Sequence, residues 1–230
     1  MVVSKYRCVA SSVEGFVQQL AVCYVTHGYY FYVTGQIPEK KDPVRVDQRI
    51  IERYRINVSK SARVRQKKAG EANLQYLRFG RSFVILATPG VHHFFQEEAA
   101  ILKDLRETPI RFYDYAISCH KSWGKGALHA SVRIDRRRYS ELKAHFVKIS
   151  VHRSVKDMIL EFWRFPFEPY APIRNQLYMI LRAVNRKRHA AGLEPVPKAA
   201  LRLFRKTIQP FAEDPPELSE DRETFRASGG

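Results

Sequence analysis

The chain has 230 residues, 45% of them hydrophobic and 12% aromatic, which is enough for a buried core and too many for a disordered basic tail. Lys and Arg number 40 against 23 Asp and Glu, a net charge of +17. The last 24 residues hold six acids (Glu213, Asp214, Glu217, Glu220, Asp221 and Glu223), so residues 1–206 carry 38 basic against 17 acidic side chains, a net +21. Such an excess repels itself in a folded state and calls for a polyanion. No stretch approaches the ~20 apolar residues of a spanning helix. The most apolar segment, Val9–Val25, is interrupted by Glu14, Gln18 and Gln19 and lacks the charged start and cleavage site of a signal peptide. No membrane partner is therefore expected. Cys8, Cys23 and Cys119 are odd in number and show no Cys-x-x-Cys spacing, which speaks against a disulfide framework or a cysteine zinc site. A reducing compartment follows, cytoplasmic or nucleoid-associated.

In chain order, Ser11 and Ser12 can cap a helix whose apolar residues recur at Val13, Phe16, Val17, Leu20, Ala21 and Tyr24, with Gly28 placed to end it. Tyr29–Thr34 reads as a strand and Ile37–Pro43 as a loop. A short helix is predicted from about Val46 to Tyr54, with Ile50, Ile51 and Tyr54 facing inward. A basic connector spans Lys60–Arg81, and Ser82–Thr88 is a buried-looking strand stopped by Pro89-Gly90. Gln96–Arg106 reads as a helix, and Pro109–Cys119 with Ala127–Ile134 as a hairpin pair turning at Gly124-Lys125-Gly126. Helices follow at about Tyr139–Val151, Val155–Arg164 and Ile173–Ala191.

The predicted fold class is α+β: a largely antiparallel sheet with helices in the order α-β-β-α-β-β-α, then a helical C-terminal part. The expected organisation is a core over residues 1–135 with a basic insertion at 37–81, a basic helical part over 136–206 packed on it, and an acidic disordered tail over 207–230.

Three basic regions are candidates for nucleic-acid contact. The connector supplies Lys60, Arg63, Arg65, Lys67, Lys68, Arg78 and Arg81 against the single acid Glu71. Arg136, Arg137 and Arg138 stand together at a helix N-terminus, where they oppose the macrodipole unless an anion neutralises them. On the last long helix Ile173, Leu177, Ile180, Leu181 and Val184 form the core stripe, while Arg174, Tyr178, Arg182, Asn185, Arg186 and His189 share another face, followed by Lys187 and Arg188. That helix has no acid between Pro172 and Gly192, unlike an ordinary solvated face. Arg, Asn and Tyr are types that bond phosphates and base edges. Tyr29, Tyr30, Tyr32, Tyr76, Phe79, Tyr113 and Tyr115 are aromatic candidates for base stacking, a minority of which should be exposed.

No familiar metal-nuclease pattern is present: there is no His-x-His, no HExxH, no GxxxxGK[ST] and no paired acids with a following ExK. Candidates for chemistry are His92 and His93, in a loop after a buried strand, with His120 and His129, which near Lys121 and Lys125 suit metal-free RNA cleavage by general acid and base. Tyr139 sits on a predicted helix, as a nucleophilic Tyr of a strand-transfer enzyme does. No cofactor is predicted, except Mg if the protein is a nuclease.

Leu20-Ala21-Val22-Cys23-Tyr24-Val25-Thr26-His27-Gly28, followed by the strand Tyr29–Thr34, resembles the helix-to-strand element of LAGLIDADG homing endonucleases over nine residues with three identities. The element order is similar to theirs if 37–81 is an insertion. The resemblance implies a DNA-binding saddle. In that family the acid before the closing Gly binds the catalytic metal; His27 stands there, which implies lost or altered cleavage.

Two expectations result. The first is a protein that binds structured RNA or DNA through Arg and Lys contacts and aromatic stacking, as a component of a mobile element or defence system. The alternative is a nuclease or strand-transfer enzyme using His or Tyr, or a structural subunit with protein partners in a ribonucleoprotein.

Overall fold

A computed structural model of the protein describes residues 6–121, 126, 128–204 and 208–212. The first helix, α1 (Val13–Gln18), starts where Ser12 accepts a hydrogen bond from the Gly15 N–H. It runs on as a π-helical segment (Gln19–Tyr24) and a 3-10 turn (Val25–His27), and Gly28 closes it at φ 95°, a conformation that costs a residue with a Cβ. The apolar stripe read from the sequence is buried along this whole unit, from Phe16 to Val25.

Strand β1 (Phe31–Gln36) follows, two residues later than its sequence reading. Helix α2 (Pro43–Arg53) is capped by Asp42 and has Pro at its first position. The basic connector is not a loop. It holds helix α3 (Lys60–Lys68), capped by Ser59, and strand β2 (Leu74–Phe79). Strand β3 (Ser82–Ala87) pairs with both β2 and β1, so β2 belongs to the main sheet and not to an insertion.

The expected helix at Gln96–Arg106 is reduced to one turn, α4 (Phe94–Glu97), before strand β4 (Lys103–Asp104). Tertiary pairing overrides the helix-forming run there. Lys103 and Asp104 pair with Tyr32 and Phe31, and the Leu105 N–H bonds the Tyr30 carbonyl. The Leu105 carbonyl in turn accepts from the Cys119 N–H, and its side chain is fully buried. Leu105 thus joins the first sheet, in order β2-β3-β1-β4, to a second one.

That second sheet is β5 (Ile110–Phe112), β6 (Tyr115–Lys121) and β7 (Leu128–Ile134), antiparallel throughout. Its β5–β6 turn puts Tyr113 at φ 50°. The β6–β7 turn predicted at Gly124-Lys125-Gly126 falls, apart from Gly126, outside the described residues. Helices α5 (Arg136–Ile149), α6 (Val155–Trp163) and α7 (Ala171–Ala190) complete the fold, close to their predicted spans. The protein is α+β, with antiparallel sheets and a C-terminal helical part.

The first sheet is covered on both faces. Val33, Leu74, Tyr76 and Ile85 pack with Tyr54, Ile56, Phe94 and the inner side of α2. Tyr32, Leu77, Val84 and Leu86 pack with the α1 unit, one face of the second sheet and the apolar stripes of α5, α6 and α7. The second sheet turns one face to the core, with Ile110, Phe112, Tyr115, Ile117, Cys119, Val132 and Ile134 on it. Residues 208–212, assigned to the tail from sequence, fold back on the N-terminal segment. Phe211 bridges Ala10, and Gln18 donates to the Ile208 carbonyl. The acidic residues 213–230 lie outside the described residues. No helix among the described residues is long and apolar enough to cross a membrane.

Candidate nucleic-acid interface

Strand alternation dictates what the other, outer face of the second sheet carries. Arg111 on β5, Ala116, Ser118 and His120 on β6, and His129, Ser131 and Arg133 on β7 share it. The register aligns Arg111 with Ala116 and Arg133, Ser118 with Ser131, and His120 with His129. Arg111, His120, His129 and Arg133 are exposed on it, Ser118 and Ser131 between them are buried, and Ala116 is half-buried.

At one margin this face meets the N-terminal ends of α5 and α7 in a cleft of about 600 Å³ lined by Arg111, Arg133, Arg136, Tyr139, Asn175 and Met179, among others. The first turns of α5 and α7 both line it. Asp135 caps α5 by accepting from the Arg137 N–H and lies 3.6 Å from Arg111. It is the one acid in the lining, against three guanidinium groups. The Arg111 side chain is 73% exposed, and neither Arg133 nor Arg136 has an acid partner among the described residues. Burial pushes the Tyr139 hydroxyl above its usual range, so it lines the cleft as a neutral hydrogen-bonding group.

Helix α7 is locked to this edge by Gln176. Its amide accepts from the Ile134 N–H at 2.9 Å and donates to the Ile134 carbonyl at 3.1 Å. At 3.6 residues per turn, Asn175, Met179, Arg182 and Arg186 then lie within an arc of about 60°. All four are exposed, and they continue the cleft wall along the helix.

The basic residues singled out from sequence divide into two groups. Arg78 is 7% exposed and forks onto Asp47, with Nε at 2.8 Å and Nη2 at 2.8 Å; the Tyr76 hydroxyl donates to the same carboxylate at 2.6 Å. Arg63 donates to the carbonyls of Leu74 and Ile56, and Arg81 to those of Pro38, Glu39 and Lys41. Arg188 is 3% exposed and binds the carbonyls of Ser150, Arg153 and Glu194. Asn185 makes a reciprocal pair with the Val196 backbone, and Tyr178 packs against the core. These six side chains are engaged by the protein itself. The N-terminal cations of α5 are partly neutralised by protein: Arg138 pairs with Asp114 and Glu141, and Arg137 with Glu141.

Arg136, Arg182, Arg186, Lys187 and His189 are exposed, and Arg174 is half-buried. Lys60, Arg65, Lys67 and Lys68 are exposed on α3, away from the cleft. Of the seven aromatic candidates Tyr113 alone is exposed, at 63%; Tyr29, Tyr32, Tyr76 and Tyr115 are buried, and Tyr30 and Phe79 half-buried.

The four histidines do not form one cluster. His92 Nδ1 accepts from the Phe94 N–H at 3.1 Å, and His93 Nε2 lies 3.2 Å from the Arg53 carbonyl. Their rings stack on each other at 4.3 Å and His93 stacks on Tyr54 at 5.6 Å, on the α2 side of the first sheet. Burial, and then the neighbouring His93, hold His92 below its usual range. His120 and His129 instead face each other across β6 and β7 on the outer face, where both are exposed. His27, at the position singled out by the homing-endonuclease likeness, is exposed and lies 3.2 Å from Thr26 Oγ1. Among the described residues, no group of three His, Cys, Asp or Glu is placed to hold a metal ion.

A wider cleft of about 810 Å³ runs between α2 and the N-terminal segment, over the Asp47–Arg78 pair. Its buried charges already answer each other. Sequence reading passed over Arg111 and Arg133, although the alternations Ile110-Arg111-Phe112 and Val132-Arg133-Ile134 signal outward-facing cations. No protein-family model matches the chain, and no curated protein or solved structure matches it.

Proposed function

We propose that this protein binds nucleic acid along the outer face of the β5–β6–β7 sheet, with backbone phosphates held in the cleft at its α5 and α7 margin. The observation that carries this reading is the cleft: Arg111, Arg133 and Arg136 converge on two helix N-termini against Asp135 alone. An anion fits such a place because the guanidinium groups supply charge and forked donors, and the N-terminal end of each helix carries partial positive charge. From there the strand follows Arg182 and Arg186 along α7, with Tyr113 the exposed ring available for stacking. A three-stranded sheet with exposed Arg and His on one face, and with Tyr113 exposed in its β5–β6 turn, suits a single strand or an unpaired loop better than a rigid duplex. The reading carries a reducing compartment with it, cytoplasmic or nucleoid, where Cys8, Cys23 and Cys119 stay as thiols.

Fluorescence anisotropy with labelled single-stranded and duplex RNA and DNA, titrated in salt, tests it. Affinity is expected to fall linearly on a log–log plot, and the Arg111→Ala/Arg133→Ala/Arg136→Ala variant to flatten the slope by about 2, at ~0.7 per phosphate contact on a single strand. Binding that is indifferent to salt, or a triple variant that binds as wild type, overturns the proposal.

A further inference from the structure

The outer sheet face carries a second arrangement that binding alone does not require. His120 and His129 occupy directly opposed positions on β6 and β7 and project to the same side. Antiparallel partners have Cα atoms about 4.5–5.5 Å apart, so the two imidazoles leave the sheet from neighbouring points of one face. Both residues are exposed. The Ser118 hydroxyl lies 2.8 Å from His120 Nε2 and is nearly buried, so it fixes the His120 ring from below. Arg133 lies on the same face of β7 four residues from His129, about 13 Å away at a strand rise of 3.3–3.4 Å. An extended nucleic-acid strand held at Arg133 is long enough to reach the histidine pair.

Resting on the nucleic-acid reading above, we infer that the His120–His129 pair cleaves RNA by metal-free general acid and base catalysis, using the substrate's own 2′-hydroxyl as nucleophile. His129 takes the proton from the 2′-hydroxyl as its oxygen attacks the adjacent phosphorus. His120, as imidazolium, gives a proton to the departing 5′-oxygen as the P–O5′ bond breaks. In that form both ring nitrogens of His120 are donors: Nε2–H is held by the Ser118 oxygen, which leaves Nδ1–H for the leaving group. The products are a 2′,3′-cyclic phosphate and a 5′-hydroxyl. One proton enters the pair and one leaves, so the step needs no metal, water or redox partner. Imidazole suits both halves because it gains and loses a proton near neutral pH. DNA, which lacks the 2′-hydroxyl, is bound and not cut.

The full chain is incubated in EDTA with a random-sequence RNA pool and with RNA that co-purifies with it. Cleavage leaving 2′,3′-cyclic ends is expected, and none on the all-deoxy pool. His120→Ala and His129→Ala should each lower the rate by about 10²-fold or more, with anisotropy-measured binding within twofold of wild type. His93→Ala, on the other sheet, should cut as wild type does. An aryl 3′-phosphodiester of uridine, whose leaving group needs no acid, separates the roles. On it His120→Ala and Ser118→Ala should regain most of the wild-type rate and His129→Ala should not. If wild type binds RNA in a salt-dependent way but leaves it intact, or if His120→Ala and His129→Ala cut as wild type does, the inference is overturned and the binding reading stands. If wild type binds no RNA, the binding reading itself has failed.

Discussion

The two sheets use the same kinds of residue to opposite ends. Around the first, covered on both faces, Arg63, Arg78 and Arg81 are bound to backbone carbonyls or to Asp47. Around the second, turned to the core by one face, Arg111, Arg133 and Arg136 converge on a cleft with one acid between them. The net charge that marks this chain is therefore not spread evenly as a footprint. Part of it is internal fastening and part is presented. A cation's place in the fold, and not its membership of a basic run, decides which part it belongs to.

That contrast can be broken most sharply at Asp47. Asp47→Ala strands Arg78 as a buried, uncompensated charge and removes the acceptor of Tyr76. A loss of about 3–5 kcal/mol is expected in urea unfolding, with nucleic-acid affinity per folded molecule unchanged. A loss under about 1 kcal/mol would mean that water replaces the carboxylate.

Helix α7 repeats the contrast on one element. Arg188→Ala removes a buried guanidinium from three carbonyls and should cost about 2–3 kcal/mol. Arg182→Ala, on the exposed stripe of the same helix, should leave stability within about 0.5 kcal/mol and weaken binding. Equal stability of the two variants would erase the distinction drawn between these residues.

Much of the scaffold was legible in the residues, because its signals are local. Ser12 and Ser154 cap the helices that follow them, Gly28 ends one, and the Ile173-Leu177-Ile180-Leu181-Val184 stripe is buried as its period requires. Strand β2 was hidden because Arg78, buried within it, reads as a surface charge until Asp47, 31 residues away, is brought to it. The run Glu97-Glu98-Ala99-Ala100 favours helix locally and loses to the pairing of Lys103, Asp104 and Leu105. The His120–His129 pairing depends on hairpin register, and a shift of one residue would send one ring into the core. The separation of His92 and His93 from that pair is likewise a tertiary fact.

The smallest effect sharpens the contrast at those two histidines. His92 is held below its ordinary pKa of about 6.5, first by burial and then by His93. The folded protein thus prefers the neutral ring more than the unfolded chain does. Its contribution to stability is complete above about pH 6.5 and is lost as pH falls through the lower folded value. A His92→Asn variant should flatten the acid limb of the stability curve by a fraction of a kcal/mol without altering RNA affinity. An unchanged acid limb would place the titration elsewhere.

The amide of Gln176 has a consequence beyond fixing α7. It takes up the N–H and the carbonyl of Ile134, two groups on the outer edge of the terminal strand β7. A β-strand from another molecule would need those same groups to dock in register. The side chain stands where a foreign backbone would begin its ladder. The sheet is thereby closed, at this point of its edge, to growth by strand addition.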